Sequence, residues 1–143
     1  MRSILLAILM FSSLLSLLGK TPGRYVSESA FSENRTKQAE MAPQTMDQLR
    51  KHGVTDATEL KLEFFFYTNT KAKASELADV LKKKGYAVEQ RPAAHDQALH
   101  VITGWTGKMQ MTDAIVVAWS REMCELGYAS DCEFDGWGTN PNP

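Results

Sequence analysis

The pattern of apolar and polar positions is sharpest at Leu62–Thr68, where Phe64, Phe65, Phe66 and Tyr67 follow one another. Side chains alternate across a strand, so this run predicts Phe64 and Phe66 on one face and Phe65 and Tyr67 on the other. Such loading suits a central strand, with helices over one face and partial cover over the other. At an exposed edge it would invite aggregation. Helical spacing takes over from about Lys71 to Lys84, where Ala74, Leu77, Ala78 and Leu81 form a narrow stripe. Asn69 or Thr70 can cap its start and Gly85 can end it. Tyr86–Arg91 predicts a short strand with Tyr86 and Val88 on one face, and Pro92 disfavours its continuation. After a turn over Pro92–Gln97, Leu99–Thr106 reads as a strand with Leu99, Val101, Thr103 and Trp105 sharing a face. Thr112 is placed to cap a last helix running to Leu126, with Val116, Trp119, Met123 and Leu126 inward and Gly127 as its stop. A final short strand is expected over Asp131–Asp135.

The order βαββαβ, with right-handed crossovers, builds a four-stranded antiparallel sheet with two helices on one face. The expected class is therefore α+β, a ferredoxin-like sandwich. The alternative is a looser α+β domain whose last strand never joins the sheet. A short helix from Pro43 or Gln44 to His52 should precede it, closed by Gly53. The domain then covers residues 44–139, with an unpacked tail at 140–143. Residues 20–43 are rich in Ser, Thr, Glu and Lys and read as a flexible linker, in which Tyr25, Val26 and Phe31 are the groups able to dock.

Ahead of that lies Arg2 followed by the apolar run Ile4–Leu18, interrupted by three serines. Residues 1–19 have the charge-then-apolar plan of a secretory signal. They fall short of the roughly 20 residues that cross a bilayer comfortably. A cleaved signal, or a retained anchor with membrane association through residues 4–18, points to a periplasm. Arg2 before the run and Lys20 and Arg24 after it leave the orientation of an anchor open, so an anchored domain facing the cytoplasm is an alternative. Another is a cytoplasmic chain with a peripheral apolar helix. Export would permit a disulfide between Cys124 and Cys132, against the alternative of two buried or partly buried free thiols.

Charge narrows the chemistry. Lys and Arg number 16 against 17 Asp and Glu, so no basic field for nucleic acid is present, and basic residues are not interleaved with the aromatic strand. The carboxylates are scattered, with no pair marked for acid–base work. His52, His95 and His100 form no ligand cluster with the two cysteines. Gly104–Lys108 lacks the glycine spacing of a phosphate loop. The sequence points to no enzyme activity, no metal and no cofactor.

Three stretches carry a family resemblance: MDQLRKHGVTDATE leading into LEFFFY, LKKKGYAVE at Leu81–Glu89, and EFDGW at Glu133–Trp137. Together they resemble the family of the ribonuclease E inhibitor RraB over Met46–Thr139, with Phe134 where that family's ending has tyrosine. The resemblance implies a non-enzymatic, ferredoxin-like protein that binds a protein partner. Ribonuclease E is that partner only if the domain is cytoplasmic; an exported chain would have an unrelated structural, immunity-like or accessory role.

Four residues are candidates for protein contact. Phe65 and Tyr67 should meet solvent, a partner (another copy of the domain included) or the preceding helix. Asp135 and Trp137 have two readings. In one, Asp135 accepts backbone N–H bonds in a turn and Trp137 closes the core. In the other, Trp137 is an exposed anchor for a partner.

Overall fold

A computed structural model describes residues 23–143. Its elements are α1 (Glu28–Arg50), β1 (Glu59–Leu60), β2 (Leu62–Thr68), α2 (Lys71–Lys83), β3 (Ala87–Pro92), β4 (His100–Trp105), β5 (Met109–Gln110), α3 (Asp113–Ala129) and β6 (Glu133–Thr139). The four long strands form one antiparallel sheet in the order β3-β4-β2-β6. β2 and β4 are central, and the last strand does join the sheet. With α2 and α3 as crossovers, this is the ferredoxin-like arrangement the pattern predicts. β1 and β5 add a two-residue ladder beside it.

Alternation along β2 sorts its residues as expected. Leu62, Phe64, Phe66 and Thr68 are fully buried, whereas Glu63, Phe65 and Tyr67 are half-buried. Phe64 and Phe66 pack with Leu77, Leu81, Ile102, Val116, Met123 and Phe134 in one core. Burial at this level stabilises the fold by about 2–3 kcal/mol per aromatic side chain. Thr70 and Thr112 cap α2 and α3, accepting from the Lys73 and Ile115 N–H groups at 3.2 Å each. Gly85, at φ 86°, closes the turn after α2.

Three expectations need correction. Residues 28–50 form one helix, not a flexible linker followed by a short helix. Ser27 caps it by accepting from the Ala30 N–H at 3.1 Å. Its inward positions Phe31, Asn34, Gln38, Ala42, Met46 and Leu49 keep helical spacing. Asn34 and Gln38 are polar, so the stripe escapes a reading based on apolar periodicity. Pro43 sits inside the helix and removes one backbone donor; packing along α3 holds the two halves together.

The second correction concerns Gly127, which lies within α3 and does not end it. A Cβ there would come within 2.8 Å of the Cys132 carbonyl oxygen and 2.9 Å of the Phe66 ring. The glycine allows helix and strand to approach closely. The third concerns the Asp-Gly-Trp segment, which is strand, since β6 runs to Thr139. The register against β2 slips between Phe65 and Phe66, leaving Asp135 as the extra residue of a β-bulge. Gly136 supplies the positive φ of 143° at that point.

Among the described residues no helix is long and apolar enough to cross a membrane. The apolar run at 4–18 lies outside the described residues.

Candidate protein-binding face of the sheet

The face of the sheet away from the core is built by the same alternation. Cross-strand partners share a face, so Glu63 and Phe65 stand beside Trp105 and Thr103 of β4, and Tyr67 beside Val101. β3 adds Ala87, Glu89 and Arg91. β6 adds Glu133, with the bulged Asp135 next to it, and the glycines Gly136 and Gly138 opposite Phe65 and Glu63. The small side chains of Val101 and Thr103 lie low between larger neighbours and are buried, while Phe65, Tyr67 and Trp105 keep part of their rings exposed.

The face has a closed end and an open end. At the closed end the His95 ring meets Tyr67 edge-on at 5.8 Å. The Tyr25 phenol lies in the field of Glu133, Asp135 and Asp96; burial first, then these acids, pushes its pKa up to about 12. At the open end, Phe65 and Trp105 make no ring-to-ring or cation–π contact among the described residues.

The electrostatics of the face are acidic. Burial raises the carboxyl pKa of Glu133 and of Asp135, the charge of Asp135 adds to the rise at Glu133, and Lys37 on α1 opposes it at both. Glu63 is raised as well, by burial, with Arg91 opposing and Glu89 adding. Arg91 itself is engaged by Glu89 at 2.8 Å.

The border of the face is fixed by Asp131, the one described non-glycine residue with positive φ (56°). Its carboxylate accepts from the Tyr25 and Val26 N–H groups at 2.8 Å each and pairs with Lys73 Nζ at 2.7 Å. Burial works against the charged form, but these bonds win and hold the Asp131 pKa below the ordinary value. Arg24 lies 4.2 Å over the Tyr128 ring, and Phe31 stacks on the same residue at 4.3 Å. Tyr25, Val26 and Phe31 therefore do dock, the first two on Asp131 in the turn between α3 and β6 and Phe31 on Tyr128 in the last turn of α3.

Of the four candidates, three lie on or beside this face: Phe65, Tyr67 and Asp135. Asp135 is a bulge residue, not the acceptor at the centre of a turn. Trp137 points the other way, is 7 % exposed and meets Trp119 edge-on at 6.2 Å. It closes the core and is not an exposed anchor. Trp105, Glu63 and Glu133 belong to the face and were not singled out from sequence; Trp105 carried a signal, since its spacing places it opposite the core residues of β4.

Cys124 and Cys132 are both buried free thiols, and no bridge joins them. Burial pushes each thiol up to about 12; Cys124 feels Arg35 and Glu125, whereas Cys132 feels Thr68, Asp131 and Glu76. The two sulfurs sit in different surroundings. Among the described residues no His, Cys, Asp and Glu cluster is arranged to hold a metal ion. A shallow depression at Arg50, Val54, Thr55, Asp56 and Ala57 is open to solvent, and its Arg50 already pairs with Asp56 and Asp113.

A family model, regulator of ribonuclease activity B (RraB), matches residues 39–139. The chain belongs to the RraB family. The match spans the second half of α1 and the whole sheet, so the family's domain includes the open face. No curated protein sequence matches the chain.

Proposed function

We propose that this RraB-family chain is a non-enzymatic regulator that acts by docking protein on the open face of its sheet, and that its partner is a ribonuclease of the ribonuclease E kind. The observation that carries this reading is the treatment of one strand's alternate residues. Phe64 and Phe66 are fully buried, while Phe65, flanked by Trp105 and Tyr67, keeps part of its ring exposed, with no helix over it among the described residues. Aromatic groups held rigidly on a strand lose little entropy on binding and dominate contact energetics.

The test is calorimetric titration of the full chain into purified ribonuclease E from the same host, alongside RNA cleavage. Phe65→Ala and Tyr67→Ala should each weaken binding by about tenfold or more and relieve inhibition in proportion. Ile115→Ala, at an exposed site on α3, should leave both unchanged. Equal loss at Ile115, or full affinity in the two strand variants, would refute the docking face. N-terminal sequencing of the protein from fractionated cells tests the partner: a mature start near Lys20 in an exported fraction would remove a cytoplasmic ribonuclease.

A further inference from the structure

We infer that the open face takes an arginine-rich segment of protein chain, whose guanidinium groups stack on Phe65 and Trp105 while forking to the carboxylates around them. This rests on the reading above that the face docks protein, and adds the chemistry of what it docks.

The ring surfaces and the charges both point to this ligand. Phe65 and Trp105 sit on neighbouring strands with no ring partner among the described residues, and Glu63 stands directly across from Trp105. On the other side of Phe65 the β6 position is Gly136, where an added Cβ would meet nothing within 4 Å. Beside the Phe65 ring β6 thus presents no side chain at Gly136, with Glu133 and Asp135 on the same strand. Four carboxylates (Glu63, Glu89, Glu133 and Asp135) belong to the face, against Arg91 within it and Lys37 and His95 at its margin. Glu133 and Asp135 are half-buried and repel one another, so an incoming cation gains from both. Arginine suits this better than lysine, because its planar group can lie on a ring and donate sideways to a carboxylate at the same time.

The other occupants fit poorly. Phosphates of a nucleic acid would face the four carboxylates. A second copy of the chain would oppose like charges, and an apolar segment would bury them unpaired.

The full chain is titrated into fluorescein-labelled synthetic peptides of twelve residues: an Arg-Gly-Ser repeat, its Lys version and its Glu version. Anisotropy is read at low and high salt. The Arg peptide should bind about 3–5 fold more tightly than the Lys peptide, the margin expected of cation–π contact, and far above the Glu peptide. Trp105→Ala and Glu133→Gln should each weaken it about 5–10 fold with the thermal midpoint and near-UV spectrum retained. Asp79→Asn, which removes an exposed acid on α2, should change nothing.

Equal binding of the Arg and Lys peptides, with Trp105→Ala silent and Asp79→Asn as damaging as Glu133→Gln, would reduce the effect to diffuse charge and overturn the inference. So would absence of binding by any peptide. If the peptides fail while ribonuclease binding is still lost in Phe65→Ala, the ligand chemistry is wrong and the docking face stands. If the Arg peptide binds as described and ribonuclease does not, the partner is wrong and the chemistry stands.

Discussion

The two faces of one sheet are made from the same strands and treated in opposite ways. Under α2 and α3, the face is apolar and close-packed: Phe64, Phe66, Ile102, Phe134 and Trp137 meet the helices. On the other side, aromatic rings alternate with carboxylates, and among the described residues only the margins of the face enclose them. A two-layer domain needs only one covered face for stability. Aromatic residues on the second face are therefore free to serve another purpose, and the raised carboxyl pKa values there show that their setting opposes the charged form.

The largest test of this contrast is the pair Phe66→Ala and Phe65→Ala. The first should destabilise the domain by about 3–5 kcal/mol, the cost of emptying an aromatic site in a close-packed core. The second should cost about 1 kcal/mol or less, since the side chain keeps partial contact with water in both states. Chemical denaturation compares them directly, and similar losses would mean the open face is structurally essential.

Next comes the border. Asp131→Ala should cost about 3 kcal/mol, because it leaves the Tyr25 and Val26 N–H groups without their acceptor and takes the ion pair from Lys73, which keeps Asn69 Oδ1 and the Gly23 carbonyl. The wild-type dependence on pH has a definite sign. A carboxyl lowered in the folded state contributes stability above its unfolded value, and that stability is lost as pH falls through the folded value. The Asp131 contribution should therefore disappear in acid, below about pH 4, and the variant should lack this phase in urea titrations run at a series of pH values.

Gly127→Ala should cost about 2 kcal/mol, since the new methyl group meets the backbone at Cys132 as well as the Phe66 ring. Gly136→Ala meets open space, so its smaller cost, about 1 kcal/mol, comes from the backbone angle alone. Thermal melts of the two variants separate steric crowding on the covered side from backbone strain on the open side.

The smallest effect has the opposite direction. Asp135→Asn should stabilise the domain slightly at pH 7, by about 0.5 kcal/mol, because burial opposes the charged form more than His95 and Lys37 favour it. A carboxyl raised in the folded state imposes a penalty that is full above the folded value and relieved as pH falls through it toward the unfolded value. The gain of the variant should thus shrink on mild acidification, which differential scanning calorimetry at pH 7 and pH 5 can follow.

Much of this fold was legible because the determinants are local. Alternation in LEFFFY fixed both faces of the central strand, and the Thr70, Thr112 and Gly85 signals placed the helices. The failures share a cause in contacts distant along the chain. Asn34 donates to the Phe134 carbonyl at 2.8 Å across 100 residues, so it looks like a linker residue until β6 is beside it. Gly127 resembles a helix stop until Cys132 and Phe66 crowd it. Trp137 resembles an anchor at a chain end until the bulge at Asp135 turns it onto Trp119. The proposed docking face was half legible: Phe65 and Tyr67 follow from alternation, whereas Glu133 and Asp135 join them only through the bulged register of β6.

Amide chemical shifts of the isotopically labelled full chain, followed while unlabelled ribonuclease E is added, test the central claim most directly. The account predicts that the changes concentrate at Glu63, Phe65, Tyr67, Thr103, Trp105 and Gly136. Changes confined to the outer surfaces of α2 and α3, around Lys82 and Ile115, with the open face unmoved, would contradict it.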